Sequence, residues 1–159
     1  MFLVCKGITN GVFNDCYGKH AKKPCSPPIE IYEAPAETIS FAVFMEDQDA
    51  FPLCGFSWIH WTITGLKQAF LEEGASEKSH DFAEGLHSHF GGYPTDAVKR
   101  DAIGYGPMAP PDRPHCYDIH VYALDFDPAL SNGFYMNDMF HKIQGHVLAE
   151  AVIQGMYHN

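Results

Sequence analysis

Acidic, imidazole and phenol side chains recur at strand spacing in two distant parts of the chain. Asp47 and Asp49 end one alternating apolar run, His60 lies in the next such run, and His115 and Tyr117 begin a later one. Side chains two residues apart on a strand share one face of the sheet. Such groups, gathered among aromatic residues, are typical of a ligand pocket with a few polar anchors. The spacing therefore predicts one concave site.

The residue types in this predicted site are suited to binding an anion. Imidazoles, a phenol and backbone N–H groups can donate hydrogen bonds to a phosphate. The aspartates can orient the histidines, or hold an ammonium or hydroxyl group of the same ligand. A zwitterionic head group would use both halves of the site.

Two other interpretations of the same residues stay open. Asp47, Asp49, His60 and His115 could form a metal site in a metal-dependent hydrolase. In the simplest interpretation, the aspartates cap a turn and His60 is satisfied in the core. The sequence contains no H-E-x-x-H metal motif and no G-x-S-x-G nucleophile motif. We therefore predict a binding protein with no catalytic residues and no cofactor.

The elements that carry these residues read as β-strands. Residues 39–45 and 56–63 alternate with a period of two, and residues 118–125 are apolar or aromatic on both faces, as in a central strand. Short strands are also predicted at residues 1–6 and 29–32. Strands and turns at this short spacing indicate a sandwich or barrel.

Two helical segments are predicted in addition. Residues 67–74 are expected to form a short helical turn. Near the C-terminus, Asn137 is a candidate N-cap, and apolar residues recur every four positions from Met139 to Ala151. Gly155 is placed to end this helix, and His146 would lie beside its apolar stripe.

Composition sets the class of protein. The chain has 159 residues, is 46% hydrophobic and carries a formal charge of -10, so we expect a single domain over residues 1–159 and no nucleic-acid binding. No apolar run is long enough to span a bilayer, and the five cysteines show no C-x-x-C pair. A cytoplasmic protein with mostly reduced cysteines is expected. The oligomeric state stays open, a homodimer included.

Two further segments lie near the predicted site residues. Residues 104–111 are rich in glycine and proline and are expected to form a stiff, preorganised rim. His87 and His89 lack a third ligand at a diagnostic spacing, so exposed loop histidines are expected rather than a metal site.

Five motifs in order make the chain resemble a known family, the phosphatidylethanolamine-binding proteins. The likeness is to the compact bacterial and archaeal branch, often called Raf kinase inhibitor-like, and it extends from about Ile8 onward. The motifs are Asp47-Gln48-Asp49-Ala50, Trp58-Ile59-His60-Trp61, Gly104-Tyr105-Gly106-Pro107 with Pro110-Pro111, Pro114-His115-Cys116-Tyr117 and Tyr122-Ala123-Leu124-Asp125.

The resemblance implies a mainly β fold, a β-sandwich of two antiparallel sheets with a few peripheral helices, including a C-terminal helix. It also implies a pocket for phosphate-bearing ligands such as a phospholipid head group, a nucleotide or a phosphorylated residue. A protein partner, a kinase or protease that the pocket end would inhibit, is part of the same implication. The ligand-binding residues implied are Asp47, Asp49, Trp58, His60, Tyr105, Pro110, His115 and Tyr117, with Tyr105 and Pro110 on the rim.

The chain departs from the family pattern at two positions. Gln48 stands where the family has proline between the two acids, and Cys116 stands where it has an arginine after the second histidine. That arginine would neutralise the acids. Arg113, Lys99 and Arg100 are the candidates to replace it. Cys116 is expected to be a small buried residue.

Overall fold

The chain forms two β-sheets in a computed structural model that describes residues 1–78, 81–91 and 95–159. The smaller sheet has the order β1-β4-β7, and the larger has the order β2-β3-β10-β9-β5-β6-β8. The strands are β1 (Phe2–Val4), β2 (Ile8–Thr9), β3 (Val12–Phe13), β4 (Ile29–Tyr32), β5 (Ser40–Asp47), β6 (Trp58–Leu66), β7 (Phe70–Leu71), β8 (Ala83–Glu84), β9 (His115–Leu124) and β10 (Val147–Tyr157). The mainly β, two-sheet fold that the sequence predicted is confirmed.

Helices occupy only short connecting segments. The α-helices are α1 (Phe51–Cys54), α2 (Asp96–Asp101) and α3 (Met136–Ile143), and 3-10 turns cover Asp15–Tyr17, Gln48–Ala50 and Ser88–Phe90. Among the described residues, no helix has the length and apolar character needed to cross a membrane.

The main core lies between the two sheets and follows from the period-two pattern of the strands. Alternate residues of β5 and β9 turn toward the smaller sheet, and apolar side chains of β4 and β7 meet them. The residues of this cluster with the least exposure include Ile29, Val43, Met45, Trp61, Ile63, Ile119 and Val121. A second, smaller cluster lies where α3 packs on the larger sheet, around Phe44, Leu124 and Met139. Burial of these faces fixes the strand register.

This register brings the two site segments together. β5 lies between β6 and β9, with Asp47 paired to Trp58 on one side and to Tyr117 on the other. The end of β5, the start of β6 and the start of β9 therefore meet at one edge of the sheet. The two distant segments that the spacing places in one predicted site are therefore neighbours in the fold.

The predicted C-terminal helix is wrong in its extent. α3 ends at Ile143, Gly145 has a φ of 84°, and residues from Val147 onward form β10. A four-residue repeat fits a strand as well as a helix, because every fourth residue of a strand also returns to the same face. His146, expected beside a helical stripe, is exposed, and its ring pairs with Asp125 at 2.8 Å.

Residues 67–74 also differ from the prediction. They contain the short strand β7, which pairs with β4 in the smaller sheet, in place of a helical turn. The run is too short for a helical period to be distinguished from a strand period.

Gly18 holds the rim segment against the core, and a methyl group there is expected to destabilise the protein. Gly18 forms a bridge with Met108, and a Cβ would overlap the Met108 carbonyl oxygen and the Tyr157 ring. We expect Gly18→Ala to lower the free energy of unfolding by about 1 to 3 kcal/mol, the usual cost of overpacking. Urea denaturation measures the effect.

Gly11→Ala is the comparison for this variant. Its methyl group meets no atom within 4 Å, although its φ of 78° is unfavourable for alanine. If Gly18→Ala has a free energy of unfolding no lower than that of Gly11→Ala, the close approach at Gly18 is not what constrains that position.

Candidate functional site

A cavity of about 180 Å³ opens where β5, β6 and β9 meet. Five predicted site residues line it, namely Asp47, Trp58, His60, His115 and Tyr117. The other lining residues come from the turn and helix after β5, from the Ser88–Phe90 turn and from the rim segment: Ala50, Leu53, Cys54, His89, Pro107, Ala109 and Pro111. The predicted convergence of the two distant segments is therefore present. The cavity has room for the polar end of a ligand but is smaller than pockets that enclose drug-sized molecules.

His60 is a neutral hydrogen-bond acceptor on the cavity wall. Its Nδ1 donates to the Gly106 carbonyl oxygen at 2.7 Å, and its own carbonyl accepts the Gly106 N–H at 2.7 Å. Burial lowers the pKa of His60 to about 3, so the ring carries no charge near neutral pH. Because Nδ1 holds the proton, Nε2 keeps a free lone pair.

His115 has the opposite character. Its Nδ1 lies 2.7 Å from Asp47 Oδ2, and its Nε2 lies 2.9 Å from Asp112 Oδ1. Burial opposes the charged ring, but these two carboxylates raise its pKa. An imidazole with an acceptor at each nitrogen is best satisfied when both nitrogens carry protons. The pair with Asp47 is almost wholly buried, with side-chain exposures of 1% and 6%.

A donor and an acceptor on the cavity wall have no hydrogen-bond partner in the described part of the chain. They are the Tyr117 hydroxyl and Asp47 Oδ1, both buried. Burial, together with the charge of Asp47, raises the pKa of Tyr117, so its hydroxyl keeps its proton and can donate. The hydroxyl lies near the Asp47 carboxylate and the Ala109 backbone, but neither contact has the geometry of a hydrogen bond. Buried polar atoms are rarely left unsatisfied in folded proteins. A bound molecule with one acceptor and one donor would satisfy both.

Asp49 lies outside the cavity lining, although it is two residues from Asp47. It accepts from the Cys116 backbone N–H at 2.9 Å and from the Arg113 guanidinium at 3.0 Å. These contacts hold the pKa of Asp49 below its usual range. Asp49 follows the end of β5 in a 3-10 turn, so the strand alternation that predicted a shared face with Asp47 does not extend to it.

Tyr105 and Pro110 do not lie on the rim as the resemblance implied. The Tyr105 ring is buried against Trp61, and its hydroxyl donates to the Tyr17 carbonyl oxygen at 2.7 Å. Pro110 is buried, and its carbonyl accepts from Lys19. The stiff rim segment does border the cavity, through Pro107, Ala109 and Pro111.

His87 and His89 are not the exposed loop residues that the sequence suggested. His87 is buried, with a pKa lowered by burial to about 4, and its Nδ1 lies 3.2 Å from that of His89. His89 lines the cavity and packs edge-on against Trp58. Sequence reasoning missed it, since the folding of the loop onto β6 leaves no periodic signal.

Comparison with known proteins places this geometry in a family. A family model described as phosphatidylethanolamine-binding protein matches residues 7–158. The chain belongs to this family.

The relatives of this phosphatidylethanolamine-binding protein family member include bacterial and archaeal proteins, as the resemblance implied. The chain is 34% identical over 156 residues to the YxkA protein of Bacillus subtilis. The matched region covers 91% of this chain and 93% of YxkA. The crystal structure of a phosphatidylethanolamine-binding protein homologue from Chlamydia trachomatis is similar with a TM-score of 0.83 and 26% identity, covering 99% of this chain and 97% of the other. Escherichia coli YbcL shares the fold, with a TM-score of 0.77 and 20% identity over 99% of this chain and 97% of its own.

Arg113 takes over the contact for which the family arginine was expected. It stands three residues before Cys116 and pairs with Asp49 rather than with Asp47. Cys116 is only partly buried, not fully buried as expected, and this burial raises the pKa of its thiol, which favours the protonated form. All five cysteines are free.

The metal-hydrolase alternative does not match the arrangement of the four residues on which it rests. Within the described ranges, one group of three or more metal-capable side chains has ligand atoms within 4.8 Å of one another, and it comprises Glu46, Asp118 and His120. Those residues alternate with Asp47 and Tyr117 on β5 and β9 and so face the other side of the sheet. Asp47, Asp49, His60 and His115 form no such group.

Proposed function

We propose that the cavity binds the polar end of a small phosphate-bearing molecule or lipid head group, without catalysis. The observation that carries this proposal is the pair of buried, unsatisfied atoms on adjacent strands, the Tyr117 hydroxyl and Asp47 Oδ1. A phosphate oxygen would accept from the hydroxyl. An ammonium or hydroxyl group of the same ligand would donate to Asp47 and to the free lone pair of His60.

Charge and shape support this assignment over a phosphate bound alone. The Tyr117 hydroxyl is the one fully buried side-chain donor without a hydrogen-bond partner on the described wall of the cavity, while Asp47 and His60 present acceptors. Apolar and aromatic side chains, including Leu53, Trp58 and Pro107, surround these polar groups. A zwitterionic end such as phosphoethanolamine matches this set. The kinase or protease partner stays a prediction drawn from the resemblance.

Calorimetric titration with phosphoethanolamine, inorganic phosphate and ethanolamine tests the proposal. Phosphoethanolamine is expected to bind more tightly than either half alone. A wild-type protein that binds neither phosphoethanolamine nor phosphate at millimolar concentration would contradict it.

Tyr117→Phe is expected to weaken phosphoethanolamine binding by about ten- to a hundredfold, the usual worth of a hydrogen bond to a charged group. The ring is retained, so packing in the cavity wall changes little. Tyr32→Phe is the matched control, because it removes an exposed phenol hydroxyl from β4 in the smaller sheet. Equal affinities for Tyr117→Phe and wild type would show that the hydroxyl does not contact the ligand.

A further inference from the structure

The Nε2 atom of His115 is hydrogen-bonded to Asp112, a residue outside the five motifs that carry the family resemblance. Asp112 Oδ1 lies 2.9 Å from His115 Nε2, while Asp47 holds Nδ1 on the other side of the ring. The His115 side chain is 1% exposed and that of Asp112 is 44% exposed. Asp112 does not line the cavity itself, but it contacts a ring that does.

This contact removes a donor from the cavity. An imidazolium ring has two N–H groups, and carboxylate oxygens accept both of them here. No proton of His115 is left for a phosphate oxygen. The ring still contributes positive charge, but its hydrogen bonds are fully used within the protein.

Asp112 also sets the charge of the group around the cavity. The hydrogen-bonded set contains three carboxylates, Asp47, Asp49 and Asp112, and two cations, Arg113 and His115, which leaves one negative charge in excess. The neighbouring ammonium group of Lys19 is held by the Pro110 carbonyl, outside the cavity lining. Without the charge of Asp112, and with His115 still protonated, the set would be neutral.

We infer that Asp112 is a positioning residue that sets the charge selectivity of the cavity, favouring a phosphate that carries an ammonium group over a bare phosphate. It acts through His115, whose second proton it accepts, and through the negative charge that it adds. A dianion entering the cavity meets this excess charge, whereas a zwitterion brings its own cation to offset it. This inference rests on the proposed function and concerns the same cavity.

Asp112→Asn tests the inference, because the asparagine oxygen can still accept from His115 Nε2 while the charge is lost. Calorimetry at neutral pH would measure the dissociation constants for inorganic phosphate, phosphoethanolamine and ethanolamine. We expect phosphate to bind about tenfold more tightly to the variant, on the scale of one nearby charge in a partly solvated site. Ethanolamine should bind more weakly, so the preference for phosphoethanolamine over phosphate should shrink by about the same factor.

Three further variants separate charge from structure. Asp112→Glu restores the carboxylate and is expected to recover most of the wild-type selectivity. Asp112→Ser removes the charge with a smaller side chain and should behave as Asp112→Asn does. Glu37→Gln makes the same charge change in the exposed turn before the other end of β5 and should leave all three affinities unchanged.

The nitrogen chemical shifts of the His115 ring report its protonation. These shifts should change in Asp112→Asn if Asp112 acts through its charge on the ring, and not if Asp112 only supports the local structure. Both ring nitrogens are expected to be protonated in wild type, and the pKa of the ring should fall in Asp112→Asn.

The outcomes distinguish the inference from the proposed function. If wild type binds phosphoethanolamine and Asp112→Asn shows the same ratio of affinities, the inference is overturned and the proposed function stands. If wild type binds neither phosphate nor phosphoethanolamine, the proposed function fails and the inference fails with it. A smaller ratio in Asp112→Asn and Asp112→Ser, recovered in Asp112→Glu, supports the inference.

Discussion

His115→Ala is expected to lower the free energy of unfolding by about 3 to 5 kcal/mol, the typical cost of breaking a buried ion pair from one side. The imidazolium ring and the Asp47 carboxylate are both almost fully buried and lie 2.7 Å apart. Removal of the ring leaves the carboxylate without its counter-ion in a mostly apolar cavity wall. Chemical denaturation of the ligand-free protein measures the loss.

A double-mutant cycle identifies the pair as the cause. Asp47→Asn alone is also expected to destabilise, because it leaves the His115 cation without a buried counter-charge. The double variant should cost less than the sum of the two single variants, since no lone buried charge remains. His141→Ala, at an exposed position of α3, is the control and should change stability little. A loss below about 1 kcal/mol for His115→Ala would show that the pair is not ionised.

The convergence of these residues was predictable because each stands at the end of a strand with a clear period of two. Val43 and Met45 turn inward on β5, so Asp47 must lie on the same face. The same alternation places His115 and Tyr117 on the inward face of β9. The family resemblance supplied the pairing of the segments, which alternation alone does not specify.

The contacts of the charged groups could not be predicted in the same way. Alternation predicts which face a side chain occupies but not which neighbour it meets across a turn. Asp49 lies two residues after the end of β5 and contacts Arg113, while Asp112, in an irregular segment, contacts His115. His89 reached the cavity from a loop. These contacts depend on loop conformations that no sequence period describes.

The C-terminal segment shows a different limit. Apolar residues at every fourth position fit both a helix and a strand, and good helix-forming residues such as Leu148 and Ala149 favoured the helix. The buried alternation from Ala149 to Tyr157 and the pairing of this segment with β9 decide for the strand. Gly155 has no room for a side chain against Phe13, so its glycine serves strand packing and not a helix end.

Acid is expected to destabilise the protein well before its carboxylates protonate. Burial lowers the pKa of His60 to about 3 and that of His87 to about 4 in the folded state, against about 6.5 in the unfolded chain. Between these values the unfolded chain binds protons that the folded chain does not, so stability falls as pH falls. Each group should cost about 2 kcal/mol between roughly pH 6.5 and pH 4.5.

Two other groups act in the same window with opposite signs. Burial lowers the pKa of His89, which adds to the slope, and burial raises the pKa of Asp47, which opposes the slope at its acid end because the folded chain then binds the extra proton. The folded pKa values of His115 and His120 are raised, so their stabilising contributions are fully present below the unfolded value and add no slope there. The lowered pKa values of Glu46, Asp49 and Asp112 cause losses only below about pH 4.5, where the unfolded carboxyls begin to bind protons. His60 and His87, with His89 acting in the same direction, therefore carry the fall in stability from about pH 6.5 to 4.5.

Urea denaturation at a series of pH values measures this slope, and substitution assigns it. His60→Gln removes one of the three described histidines with a lowered pKa and is expected to reduce the slope by about a third to a half, whatever its effect on stability near neutral pH. His141→Gln, on the exposed face of α3, should leave the slope unchanged. If the stability of the wild type stays constant from about pH 6.5 to 4.5, these histidine rings take up protons in the folded state. In that case His60 would be a cation in the cavity and not the neutral acceptor on which ammonium recognition depends.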